Sequence, residues 1–186
     1  LKNWKSFEDS TIYIDSLIIL IGTNASGKSI VLDAFAFLRA IGEGKRLVDA
    51  IQTVRGGEEW IVRRGETGFS ISLQIEEEQT YLVDLRVLKN GDTFQYGTCD
   101  IHVKGDEDSK ESAPRQFGGT SYEMTWNVYG QSEASLNLLP LIYHNFRNVF
   151  ILDPMPARMR DYCRVSKELK SDGSNVAGVL CALGES

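Results

Sequence analysis

The chain has 186 residues, about one domain's worth, and its 42% hydrophobic and 25% charged composition is that of an ordinary globular protein able to bury a core. No apolar run approaches the roughly 20 residues of a membrane span, and no charged start followed by an apolar stretch and a small-residue cleavage site marks a leader. A net charge of −6 argues against a chain built as a whole to coat nucleic acid, and three scattered cysteines, Cys99, Cys163 and Cys181, indicate a reducing, cytoplasmic setting.

In chain order, the first turn holds Trp4 and Phe7, which suit a core, and Lys5, which on its own reads as a solvated side chain. The unbroken apolar run from Leu17 to Ile21 predicts a strand buried on both faces. Residues 22–29, GTNASGKS, then form a loop that cannot pack, and Ile30, Ala34, Phe35, Leu38 and Ile41 recur at helical spacing behind it. This context carries G-x-x-x-x-G-K-S/T at Gly22, Gly27, Lys28 and Ser29, a phosphate-binding loop. The glycines permit backbone angles and close approach that a side chain would block, so the amides of Ala25, Ser26, Gly27, Lys28 and Ser29 can converge on one anion at a helix N-terminus. Lys28 brings a full charge to the β- and γ-phosphates, and the Ser29 hydroxyl is a candidate Mg²⁺ ligand, so the expected cofactors are ATP and Mg²⁺. Arg55, Arg63 and Arg64, in VRGGEEWIVRRG, suit phosphate or DNA contact but equally a solvent-facing strand edge, and are assigned to neither.

Between residues 60 and 130 the apolar period becomes two. Phe69, Ile71, Leu73 and Ile75 alternate with polar residues, as do Tyr81, Val83, Leu85 and Val87, with Asn90-Gly91 as a hairpin turn signal. Tyr122, Met124, Trp126 and Val128 predict a further strand, and the charged stretch KGDEDSKESAPRQFGGTS before it reads as a mobile loop. The whole predicts an antiparallel sheet wet on one side. Near the end, Arg158, Arg160, Arg164, Lys167 and Lys170 gather around Tyr162 as a solvated face or a contact for DNA, RNA or a nuclease partner. Val176, Val179, Leu180 and Leu183 fall at helical spacing behind a Ser174 or Asn175 cap. That closing helix and the start at Leu1 without methionine predict one lobe of a larger protein.

The opening, LKNWKSFEDSTIYIDSLIILIGTNASGKSIVLDAFAFL, resembles the start of the RecF/SMC-type ATPases of the ABC class, where N-x-K/R-S-F, a short strand and G-x-N-x-S/A-G-K-S follow in that order. A second patch, FILDPMPARMRDY with LKSDGSNVAGVL, is similar to the PtuA-type ATPases of Septu and retron defence systems. The resemblance implies an α/β P-loop NTPase of ABC-ATPase-head type with an antiparallel β subdomain. Residues 1–60 would be the loop strand and helix, 61–130 the β subdomain and 131–186 a helical connecting region, with the C-terminal lobe outside this chain. It further implies ATP held between two heads, with Asn3, Lys5 and Ser6 near the nucleoside or α-phosphate and Asn24 facing the γ-phosphate. Gln131 sits where such heads carry a glutamine that ligates Mg²⁺, although alone it reads as a solvated loop residue. Ile30 departs from the asparagine usual in these relatives, which bears on helix packing more than on phosphate contact.

Hydrolysis needs a second acidic Mg²⁺ ligand and a group that positions water. Asp153 in NVFILDP invites that role, but Pro154 stands where a base would be needed and ends the strand, so Asp153 is read as a turn residue. The reading is an ATPase subunit of a prokaryotic antiphage defence system, regulating a nuclease effector through head dimerisation and incomplete for turnover within residues 1–186, with no membrane partner. Alternatives are a DNA-repair or chromosome-associated ATPase of the same type, a nucleotide-gated scaffold without turnover and, last, a small-molecule kinase.

Overall fold

The computed structural model describes residues 1–76, 79–91, 93–104, 115–117, 124–129, 138–160 and 162–184. They divide into two compact units, Leu1–Asn148 and Val149–Ser186.

The first unit begins with a small hairpin, β1 (Lys2–Trp4) and β2 (Phe7–Asp9), followed after an irregular segment by helix α1 (Lys28–Gly42) and two short helices, α2 (Leu47–Gln52) and α3 (Gly57–Trp60). Strands β3 (Gly68–Glu76), β4 (Thr80–Asn90), β5 (Thr93–Val103), β6 (Arg115–Phe117) and β7 (Met124–Val128) come next, then helix α4 (Leu138–Arg147). All seven strands join one sheet in the order β2-β1-β3-β4-β5-β7-β6. Every pairing is antiparallel except β5 with β7, which run parallel.

The two-residue period decides which face is buried. Phe69, Ile71, Tyr81, Val83, Leu85, Val87, Cys99, Ile101, Met124, Trp126 and Val128 all point into one core, shared with Phe37, Leu38 and Ile41 of α1 and Ile142 and Phe146 of α4. Each such side chain contributes roughly 1.5–3 kcal/mol on burial. Gly42 lets α1 and α4 close, since a Cβ there would meet the Arg147 amide nitrogen and the Phe146 Cβ at 2.6 Å. At the sheet's other end Trp4 stacks edge-on to Phe69 with centroids 4.9 Å apart, lies 5.7 Å from Phe37, and donates its indole N–H to the Ile30 carbonyl at 3.0 Å. The opening hairpin is therefore pinned to the first turn of α1.

Three expectations are corrected. Residues 17–21 form no strand: they run without a hydrogen-bonded ladder, and Leu17, Ile19 and Ile21 are 77%, 73% and 91% exposed. A strand needs a neighbour, and none of the seven strands pairs with this segment. The stretch read as a mobile loop before β7 contains β6, paired antiparallel to β7 from Arg115 to Phe117, and the parallel β5–β7 pair departs from the expected purely antiparallel sheet.

In the second unit residues 149–157 are irregular, Arg158–Arg160 form a 3₁₀ turn, and α5 (Val176–Gly184) is the one α-helix described. Asn175 does not serve α5 with its side chain. Its amide donates to the Glu168 carbonyl and its Oδ1 accepts from the Lys170 amide, both at 2.8 Å, tying the preceding loop to the helix start. Among the described residues no helix is long and apolar enough to cross a membrane.

Candidate functional site

The loop expected at 22–29 stands at the N-terminus of α1. Gly27 has φ 92° and Ala25 φ 63°, the left-handed region where glycine is unstrained and alanine is not. A Cβ on Gly27 would press on the Phe7 ring at 3.1 Å, and one on Gly22 would meet the Ser26 Oγ at 2.7 Å. Gly27 thus has a backbone reason to be glycine, whereas the contact at Gly22 is with a hydroxyl that can rotate aside.

Lys28 folds back over the loop, and its Nζ donates to the Gly22 and Thr23 carbonyls at 2.7 Å each and to Ser26 Oγ at 3.3 Å. This collar curls the backbone around a single cation. No side chain caps α1. Among the described residues the amides of Asn24, Ala25, Gly27, Lys28 and Ser29 donate to no other group. Unpaired N–H groups at a helix start, the positive end of the helix dipole and an ammonium within the same curl match the chemistry of a phosphate chain. Ser29 is exposed at the first turn of α1, so its hydroxyl fits a Mg²⁺ ligand beside that chain.

Behind the loop lies a polar brace. Asp33, on the buried side of α1 and only 5% exposed, forms an ion pair with Lys5 Nζ and accepts from Arg55 Nε at 2.8 Å. Lys5 Nζ also donates to the Arg55 carbonyl at 2.6 Å, and Arg55 Nη2 donates to the Ser29 carbonyl at 3.2 Å. The brace joins the β1–β2 turn, the first turn of α1 and the segment before α3. Lys5 holds φ 53°, a conformation that costs about 1 kcal/mol or more for a non-glycine and is sustained here by the contacts of its ammonium.

The resemblance places Lys5 and Ser6 near the nucleoside or α-phosphate; in the fold both line a cleft with Ile30, Trp60, Arg63 and Arg64. Asn3, with φ 52°, donates its side-chain amide to Glu66 at 3.2 Å. Arg63 pairs with Glu8 at 3.0 Å and Glu66 at 3.7 Å. Gln131 lies outside the described residues. In the second unit Asp153 is exposed in the irregular segment, its amide donating to the Ser171 carbonyl at 2.8 Å, and Arg158 pairs with Asp172 at 3.0 Å. Sequence reasoning missed Asp33 and the role of Arg55. The signal was available: a carboxylate stands among the apolar positions Ile30, Ala34, Phe37 and Ile41 of one helix, where burial without a partner is costly.

Comparison with protein families matches residues 17–147, well over half the chain, to the model of the family described as "AAA domain, putative AbiEii toxin, Type IV TA system". Neither the comparison with curated proteins nor that with solved structures gave a match.

Proposed function

The chain belongs to this family of AAA-domain P-loop NTPases, and on that premise we propose that it binds ATP with Mg²⁺ on the 22–29 loop and uses the nucleotide to control a toxic or nuclease effector in antiphage defence. The observation that carries the reading is the Lys28 collar at an uncapped helix start, where five amides are free to meet phosphate. The family's toxin–antitoxin description supports the defence context. In this reading Asn24 faces the γ-phosphate, Ser29 and Gln131 hold Mg²⁺, and Asn3, Lys5 and Ser6 lie toward the nucleoside, with two heads meeting over the nucleotide.

Lys28→Ala tests it. The amides remain but a full charge at the β- and γ-phosphates is lost, so ATP affinity falls tenfold or more, corresponding to roughly 1.4 kcal/mol, and ADP affinity falls less. Titration calorimetry on the folded variant measures both. Unchanged ATP affinity overturns the proposal.

A further inference from the structure

An exposed tryptophan is costly, since leaving so large an apolar side chain in water forgoes the stabilisation of burial. Trp60, the last residue of α3, is 65% exposed. Its base is fixed: Gly56, at φ 81°, lies so close beneath that a Cβ there would stand 2.9 Å from Trp60 Cβ and Cδ1. The ring is thus seated on backbone at one end and open at the other, and it lines the cleft of about 890 Å³ shared with Ser6, Ile30, Arg63 and Arg64. That volume is within the roughly 300–1,000 Å³ of small-molecule sites.

The cleft abuts the phosphate-binding loop. Ile30 follows Ser29 directly in α1, and Arg55, close before α3, reaches back to the Ser29 carbonyl. The Lys5–Asp33–Arg55 brace fixes the two walls to each other, so the indole holds a set position relative to the loop. Resting on the reading of residues 22–29 as a nucleotide site, we infer that this cleft receives the purine base of the bound triphosphate, with Trp60 as the stacking surface. The bicyclic indole offers a purine more overlap than a single ring would, and the Ser6 hydroxyl and Glu59 carboxylate lining the same cleft supply hydrogen-bonding groups for the base edge.

The test uses the whole chain, with ATP and inorganic triphosphate as separate probes for wild type, Trp60→Ala and Trp60→Phe, each checked for an unchanged thermal transition. ATP affinity should fall about tenfold in Trp60→Ala, in line with the cost of losing one base–aromatic stack, and less in Trp60→Phe, while triphosphate affinity stays constant across all three. Wild-type tryptophan emission should be quenched by ATP but not by triphosphate, and Trp60→Phe should lose that response because Trp4 and Trp126 are buried in the core. Equal ATP affinity in wild type and Trp60→Ala overturns the base site and leaves the phosphate site standing. Wild type binding neither probe overturns both.

Discussion

Asp33 is the residue on which the candidate site's geometry depends, although it faces away from where a phosphate would lie. Its side chain and that of Lys5 are 7% and 11% exposed, whereas Arg55 is 53% exposed. Removing one member of a buried ion pair leaves the other uncompensated, at a cost of about 3–5 kcal/mol, while a well-packed apolar pair of similar volume is often neutral. Asp33→Ala should therefore destabilise the first unit by roughly 3 kcal/mol, whereas Lys5→Met with Asp33→Leu should recover most of that loss, the Arg55 guanidinium being already half exposed to water. Urea unfolding of the three proteins checks this. Equal destabilisation by the single and double variants would show that the carboxylate is needed for more than charge balance. The single lysine in a glycine-flanked loop was legible from the sequence because Gly27 has a local backbone reason and Lys28 a local charge reason. The brace was not legible in full, because it depends on Arg55 and Lys5 reaching Asp33 from segments 22 and 28 residues away.

Among the elements, α1, β3 and β4 follow from periodicity alone, because their buried residues are those with helical or alternating spacing. The Leu17–Ile21 run shows the limit of that reasoning: apolar, β-prone residues state what a segment could pair with, but pairing is a property of two segments, and the sheet completes its order without this one. β6 was hidden for the converse reason, a three-residue strand having too few positions to show a period. Where α1 meets α4, two effects oppose each other in Gly42→Ala. Helix propensity favours alanine by up to about 1 kcal/mol, but the new methyl would lie 2.6 Å from backbone and Cβ atoms of α4 that cannot swing aside, and overpacking costs about 1–3 kcal/mol. The clash wins, and thermal unfolding should show net destabilisation; a raised transition temperature would mean that α4 yields. In the second unit the loop before α5 is held by Asp172, which accepts from the Ser174 amide at 3.0 Å and pairs with Arg158, and these donors lower its carboxyl pKa to about 2. A group whose folded value is depressed stabilises the fold fully above its unfolded value, near 3.9, and loses that contribution as pH falls toward the folded value. The Ser174 amide resonance should accordingly titrate with a midpoint near 2; a midpoint near the ordinary carboxylate value would break the assignment.

At the scale of the whole molecule, holding ATP and hydrolysing it are separable tasks. Phosphoryl transfer needs the triphosphate gripped, its metal held by a second acid, and a water positioned in line. On the proposed reading, the 22–29 loop and Ser29 answer the first need and part of the second. The buried carboxylate nearest the loop, Asp33, is committed to Lys5 and Arg55, and Asp153 is exposed in the second unit with Pro154 following it. Among the described residues no cluster of three or more histidine, cysteine, aspartate or glutamate side chains is placed to hold a metal. The 186-residue chain should therefore bind ATP while releasing phosphate no faster than background, Asp153→Asn should change neither property, and turnover should appear only when a second acid and a facing head are supplied. Phosphate release measured against protein concentration separates the possibilities. A rate rising with the square of concentration would mean that two copies of this chain already complete one another. A rate strictly proportional to concentration and lost in Asp153→Asn would make the single chain a complete enzyme, with FILDP as its acidic strand.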